Sequence, residues 1–333
     1  MDKKNLSKSY NNNQKNQNIT KTTNPEQDSS IFPKLISFWD NVTGIFKNIQ
    51  TKNDQPSESH DNIGEQCCKC KKTISKEYCD NIYEILKMTK INNKRSKEIY
   101  ENLLTVHERD LDINGENLRQ IKKDLNRTYP SNSIFIKERI LSKLKNVLRA
   151  FSNYDNSIKY FQGMNFIVGF FLYHCDEHIA FWLFVSLIEE YDLRSLFMDG
   201  FPGLKLHVHR VEIIFQKEYS DIWEIFQKIG VKVEIFMVEW LFSLFSSLIP
   251  LDLQIEFYKG FFSKRWKFFY QMCISSILNL KGKFNEADEI YIGLKFGKNE
   301  ENIKEEEIKI KWKTIIQDAY KLEIKTKVMD IFI

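Results

Sequence analysis

Two short stretches of this sequence hold side chains whose types and spacing could do chemistry. In Ile121-Lys-Lys-Asp124-Leu-Asn-Arg127-Thr128-Tyr129-Pro130 a carboxylate and a guanidinium stand three residues apart. At a helix end that spacing makes them face each other. Taken alone it describes a surface ion pair worth about 0.3–0.5 kcal/mol. In Tyr160-Phe161-Gln162-Gly163-Met164-Asn165 a polar run, 154–159, leads in and an apolar helical pattern leaves. Gln162 and Gly163 then sit at or beside a helix N-terminus, a place that can present a side chain and backbone N–H groups to an anion. The plainer reading is an ordinary loop-to-helix junction. Other clusters carry less. Cys67-Cys68-Lys69-Cys70 contains a C-x-x-C, with Cys79 and His60 near. A zinc site needs a second well-spaced ligand pair, so free or lipid-modifiable thiols are favoured over metal. His207 and His209 flank Val208 in a helical stretch and face different sides, which argues against a metal pair. Cys175 and Cys273 lie in apolar segments and read as core residues.

The elements that must position these groups read as helices. From about Ser75 apolar residues recur at helical spacing almost to the end of the chain. Ile82, Ile85, Leu86 and 88–91 suggest one helix, and Ile99, Leu103, Leu104 and Val106 another. The stretch 134–151 is a long amphipathic pattern built on Ile136, Ile140, Leu144, Val147, Leu148 and Phe151. Segments 166–173 and 179–193 are apolar nearly all round, as central helices are. The pattern continues through 204–215, 222–229, 235–248, 253–262 and 268–280. Pro130, Pro202 and Pro250 fall between segments and mark boundaries. The aromatic run 261–270 reads as a buried helix pair, with Lys264, Arg265 and Lys267 at its turn, and the charged run 299–313 as a solvated loop or helix face. With only 12 Gly and 6 Pro in 333 residues, the many turns of a sandwich or barrel are not provided for. No convincing hairpin signal and no fixed-period repeat is present. The expectation is an all-α domain over 75–333.

Residues 1–74 have a different texture. The first thirty are rich in Asn, Gln, Lys, Ser and Thr and nearly free of apolar residues, a composition that cannot offset the entropy of ordering. Within this largely disordered tail, Leu35, Phe38, Trp39, Val42, Ile45, Phe46 and Ile49 fall on one stripe of a helix over 31–49. A helix of that length is marginal alone and needs a surface to bury the stripe. Its polar face offers Lys34 and Lys47 against Asp40, weak attraction for anionic lipid. Docking onto the helical domain or a partner is therefore favoured, with a peripheral membrane contact as the alternative. The 49 basic and 45 acidic residues leave a charge of +4 on a mixed surface, so nucleic acid is not an expected partner. No window reaches about 18 uninterrupted apolar residues, and no apolar run of the secretory kind follows the first residues. The expected location is cytoplasmic, with the cysteines as thiols.

The two stretches gain specificity together. I-x-x-D-x-x-R followed by T-[FY]-P and, about thirty residues on, Y-x-Q-G-M-N resembles the TBC domain of Rab GTPase-activating proteins. Asp199-Gly-Phe-Pro-Gly-Leu204 and Phe236-Met-Val-Glu-Trp240-Leu-Phe, followed by Leu248-Ile-Pro-Leu251, extend the resemblance over about 85–330. Two departures stand out: Lys159 where the family commonly has Gly, and Tyr100 or Ile99 where its first helix usually has Trp. The resemblance implies a GTPase-activating protein for a Rab-type small GTPase in its GTP form, acting in vesicle trafficking and peripherally on endomembranes. It implies that Arg127 is an arginine finger and Gln162 a glutamine finger, with Asp124, Tyr160 and Gly163 supporting them. No metal or cofactor of the chain's own is implied, since GTP and Mg²⁺ come with the partner. Such a chain supplies catalytic groups without an independent substrate of its own. The alternative is a catalytically silent Rab-binding adaptor.

Overall fold

Most of the segments with apolar side chains at helical spacing become helices where the structure describes them. This computed structural model describes residues 85, 93–105, 115–130, 132, 135, 140–280 and 304–330, all within the unit Ile63–Ile333. The stripe at 31–49, the cysteine cluster at 67–70 and all of the expected helix over 82–91 except Ile85 lie outside these residues; Ile85 is helical and buried. Among the described residues every regular element is a helix: the fold is all-α.

In chain order these are α1 (Asn93–Thr105), α2 (Glu116–Leu125), α3 (Ile140–Tyr154), α4 (Met164–His174), α5 (Glu177–Glu190) and the short α6 (Arg194–Phe197). There follow α7 (Pro202–Glu218), α8 (Ser220–Ile229), α9 (Val233–Ser243), α10 (Gln254–Lys264), α11 (Trp266–Leu278) and α12 (Glu305–Lys321). The helix α4 is central. It packs against α3, α5, α9 and α2, and its apolar residues on all sides, from Met164 and Ile167 to Phe170 and Phe171, are buried. The amphipathic α3 buries Ile140, Leu144, Val147, Leu148 and Phe151, the stripe its sequence laid out. In α1 it is Tyr100, 4% exposed, that points inward, while Ile99 is 37% exposed. The Tyr100 ring lies 5.3 Å from Phe181 and its hydroxyl donates to Glu177 at 2.7 Å, so the polar tip of the buried ring is paired.

Two expectations needed correction. The pattern 235–248 does not make one helix. It breaks after Ser243, with Leu244 and Phe245 at φ 46° and 60°. This left-handed pair costs about 1–3 kcal/mol per residue, offset by the burial of Phe245 against Trp240 (4.9 Å), Phe257 (5.6 Å) and Phe269 (5.3 Å). The charged run 299–313 is not only a solvated face. Its part in α12 carries Trp312, buried with Ile315, Ile316 and Ala319, against α11. The basic residues of the 261–270 run do lie exposed around the α10–α11 turn, and the aromatics between them are buried.

His207 is buried while His209 is exposed. Arg210 Nη1 donates to the Tyr270 hydroxyl (3.3 Å), which is also hydrogen-bonded to His207 Nδ1 (2.7 Å). Burial, and then the Arg210 charge, holds the His207 pKa down to about 3. The unfolded chain takes up this proton below about pH 6.5 and the folded chain does not. Stability is therefore full above pH 6.5 and falls as the pH drops toward 3, by up to about 1.4 kcal/mol per unit from this residue. His207→Gln, which can still hydrogen-bond Tyr270, is expected to flatten the dependence of unfolding free energy on pH between 6.5 and 5. Denaturant titrations at several pH values measure the difference.

Candidate functional site

The first wall of the site is the turn after α2. The helix ends at Leu125, well before Pro130, and Arg127 sits just beyond it with its N–H on the Asp124 carbonyl (3.3 Å). The Thr128 hydroxyl donates to the same carbonyl at 2.8 Å. Tyr129 takes φ 47° and aims its hydroxyl into the protein. There it meets the Phe166 carbonyl (2.9 Å), the Ser246 carbonyl (3.2 Å) and Gln254 Oε1 (3.0 Å). Gln254 Nε2 donates to the Ser246 and Ile249 carbonyls, which turns its Oε1 toward Tyr129. Burial pushes the Tyr129 hydroxyl well above its ordinary pKa, so it remains a donor. The turn lies flat on α4 at Gly169, where a Cβ would stand 3.0 Å from the Tyr129 ring and 3.1 Å from Thr128 Cγ2.

The second wall is the approach to α4. The Tyr160 N–H donates to Asn117 Oδ1 at 3.1 Å. Phe161 packs among Phe242 (4.2 Å), Phe201 (5.4 Å) and Phe197 (6.4 Å), which pins the chain just before Gln162. Gly163 precedes the first residue of α4 at φ 115°. A Cβ there would meet the Phe242 carbonyl oxygen at 2.4 Å, so both the backbone angle and the space require glycine. Gly163→Ala is expected to cost about 1–3 kcal/mol from strain, read as a lower thermal unfolding midpoint, and to displace Gln162.

The two walls meet side chain to side chain. Arg127 Nη2 donates to both Asp124 Oδ1 and Gln162 Oε1. Tyr160 donates to the other Asp124 oxygen, Oδ2, at 2.6 Å. With both oxygens accepting, Asp124 is in its carboxylate form. The Asp124–Arg127 pair is therefore not the exposed surface pair that its spacing alone describes. Asp124 is 1% exposed, because α2 lays it against Tyr160. Burial raises its pKa against the pull of Arg127 and Tyr160. Burial, and then the Asp124 charge, pushes the Tyr160 hydroxyl well above its usual range. Arg127 keeps 27% of its side chain exposed, so the pair's cation reaches the surface while its anion does not.

All five residues singled out in the sequence thus come together: Asp124, Arg127, Tyr160, Gln162 and Gly163. Four others that shape the site were given no role there: Asn117, Thr128, Tyr129 and Asn165. Thr128, Tyr129 and Asn165 stood inside the two stretches, but nothing in a residue type alone says which way its hydrogen bonds run. Among the described residues no group of three His, Cys, Asp or Glu side chains is placed to hold a metal ion, and no helix is long and apolar enough to cross a membrane.

Comparison with known proteins bears on the same residues. The chain is 34% identical over 156 residues to the Rab GTPase-activating protein eat-17 of Caenorhabditis elegans, covering 46% of this chain and 17% of that protein. It is 25% identical over 234 residues to the GTPase-activating protein GYP5 of Saccharomyces cerevisiae, covering 70% of this chain and 24% of that one. The chain thus spans only a fraction of these relatives' length. Among solved structures it resembles the Chlamydomonas flagellar RabGAP TBC domain, with a TM-score of 0.59 at 15% identity over 90% of this chain and 96% of the other. It also resembles the Ypt/Rab-GAP domain of Gyp1p, with a TM-score of 0.56 at 17% identity over 68% and 79%. The model of the Rab-GTPase-TBC domain matches residues 65–284, which contain both walls of the site, and the chain belongs to that family.

Proposed function

We propose that this chain is a GTPase-activating protein that engages a Rab-type small GTPase in its GTP form and supplies Arg127 and Gln162 to the reaction. One observation carries the reading: a partly exposed guanidinium, held by the buried Asp124 carboxylate, meets a carboxamide from a distant part of the chain. In GTP hydrolysis negative charge spreads over the transferring phosphoryl group and the leaving oxygen. A guanidinium placed there is a permanent cation with several donors. It contributes about 10³–10⁵ in rate, or roughly 4–7 kcal/mol. A neutral amide can accept from the attacking water and donate to phosphate at once, which a carboxylate cannot. Asp124, Tyr160 and Gly163 position these two groups. In the free chain Gln162 Oε1 accepts from Arg127, so engagement exchanges that bond for one from the water. GTP and Mg²⁺ arrive with the partner, and the activator's place is in vesicle traffic at endomembranes.

The test is a panel of purified GTP-loaded Rab proteins, with single-turnover hydrolysis followed as the chain is titrated. Acceleration of at least one member is expected. Binding without acceleration across the panel would favour the adaptor reading and contradict this one.

A further inference from the structure

The two walls are joined by a second, fully buried connection that does not include the reacting side chains. Asn165 is 0% exposed and Thr128 1%. The Gly163 N–H donates to Asn165 Oδ1 at 3.0 Å, Asn165 Nδ2 donates to Thr128 Oγ1 at 2.8 Å, and Thr128 Oγ1 donates to the Asp124 carbonyl at 2.8 Å. Both ends of this relay are backbone groups with only one possible role. The Asp124 carbonyl can only accept, so the Thr128 hydroxyl hydrogen must point to it. Thr128 Oγ1 is then an acceptor, which turns the Asn165 amide nitrogen toward it. That leaves Oδ1 facing the Gly163 N–H, which can only donate. The amide therefore has one orientation, and three bonds fix the residue after Gln162 against the residue that holds Arg127.

We propose that Asn165, acting through Thr128, is a positioning residue that sets the distance between Arg127 and Gln162. The proposal rests on the reading of these two as the reacting groups. The relay contacts no partner and is sealed in the core, so it acts on geometry alone. Displacing a catalytic group by about 1 Å costs on the order of 10²-fold in rate. Buried polar chains are also all-or-none, since one missing member leaves its neighbours unpaired.

Thr128→Val keeps the shape and removes both hydrogen bonds of the hydroxyl. Asn165→Asp keeps the acceptor for Gly163 and removes the donor to Thr128. Each is expected to lower the saturating single-turnover rate by about 10²-fold, with the concentration for half-saturation changed by less than about threefold. The double variant should be no slower than the slower single one, because both cut the same relay. Thr128→Ser, which keeps the hydroxyl, should recover most of the rate. Unchanged saturating rates for folded Thr128→Val, or losses that multiply in the double variant, would overturn the relay. A second measurement uses no GTPase. Amide hydrogen exchange at Gly163 in the full chain should quicken about 5- to 10-fold in Thr128→Val, the weight of one net hydrogen bond, and stay near the original value in Thr128→Ser. Exchange at Gly163 that ignores Thr128 contradicts the relay even if no Rab responds. If exchange responds as expected while the original chain accelerates no Rab, it is the functional reading that fails.

Discussion

Arg127→Ala is expected to lower the acceleration of GTP hydrolysis by at least about 10³-fold, because it removes charge stabilisation that exists only in the transition state. The fold should survive. The Arg127 side chain is about a quarter exposed, so water can replace it beside Asp124 Oδ1, and Tyr160 still donates to Oδ2. Arg127→Lys should restore little, since a single ammonium on a flexible stem cannot serve Asp124 and a phosphoryl oxygen with a planar fork. Single-turnover hydrolysis measures the rates, and thermal unfolding of each variant confirms that folded protein is being compared. A near-original rate in folded Arg127→Ala contradicts its role.

Gln162→Ala should lose about 10²- to 10³-fold, the usual weight of a preorganised polar group acting where charge or a nucleophile develops. Gln162→Glu is the sharper variant. It has nearly the same size, but its carboxylate cannot donate to phosphate and its charge opposes the phosphoryl oxygens. It would also bind Arg127 more tightly than the amide that now accepts from it. Gln162→Glu should therefore be at least as slow as Gln162→Ala, measured in the same assay at saturating activator. A Gln162→Glu variant faster than Gln162→Ala would mean that residue 162 works as a base, not as a water-orienting amide.

Much of this molecule was legible in its sequence, for identifiable reasons. The stripe of α3 and the apolar character of α4 on all sides follow from periodicity, because a helix repeats its faces regularly. Asp124, Arg127, Tyr160, Gln162 and Gly163 could be named because two motifs occur in order. The burial of Asp124 could not be foreseen from i,i+3 spacing, because it depends on Tyr160, thirty-six residues away, closing over it. The end of α9 was missed for a similar reason. Nothing local forbids helix at Leu244 and Phe245, and it is aromatic packing from α10 and α11 that draws Phe245 out of the helical path. Trp312 sits in a run of charges, and only its contact face on α11 makes it core. The Gly163–Asn165–Thr128–Asp124 relay depends on the directions of hydrogen bonds between the end of α2 with its following turn and the start of α4, which composition and spacing do not encode.

In the proposed function Gln162 and Arg127 act in trans on a GTPase. The measurement that tests this most directly uses a responsive Rab whose own catalytic Gln has been replaced, loaded with GTP, and follows single-turnover hydrolysis with the original chain, Gln162→Ala and Arg127→Ala. The original chain is expected still to accelerate this Rab strongly, because the water-orienting amide comes from Gln162, and both variants are expected to lose the acceleration. If the Gln-replaced Rab resists the original chain completely while the unaltered Rab responds, the water is oriented by the GTPase itself and the two-group account is wrong.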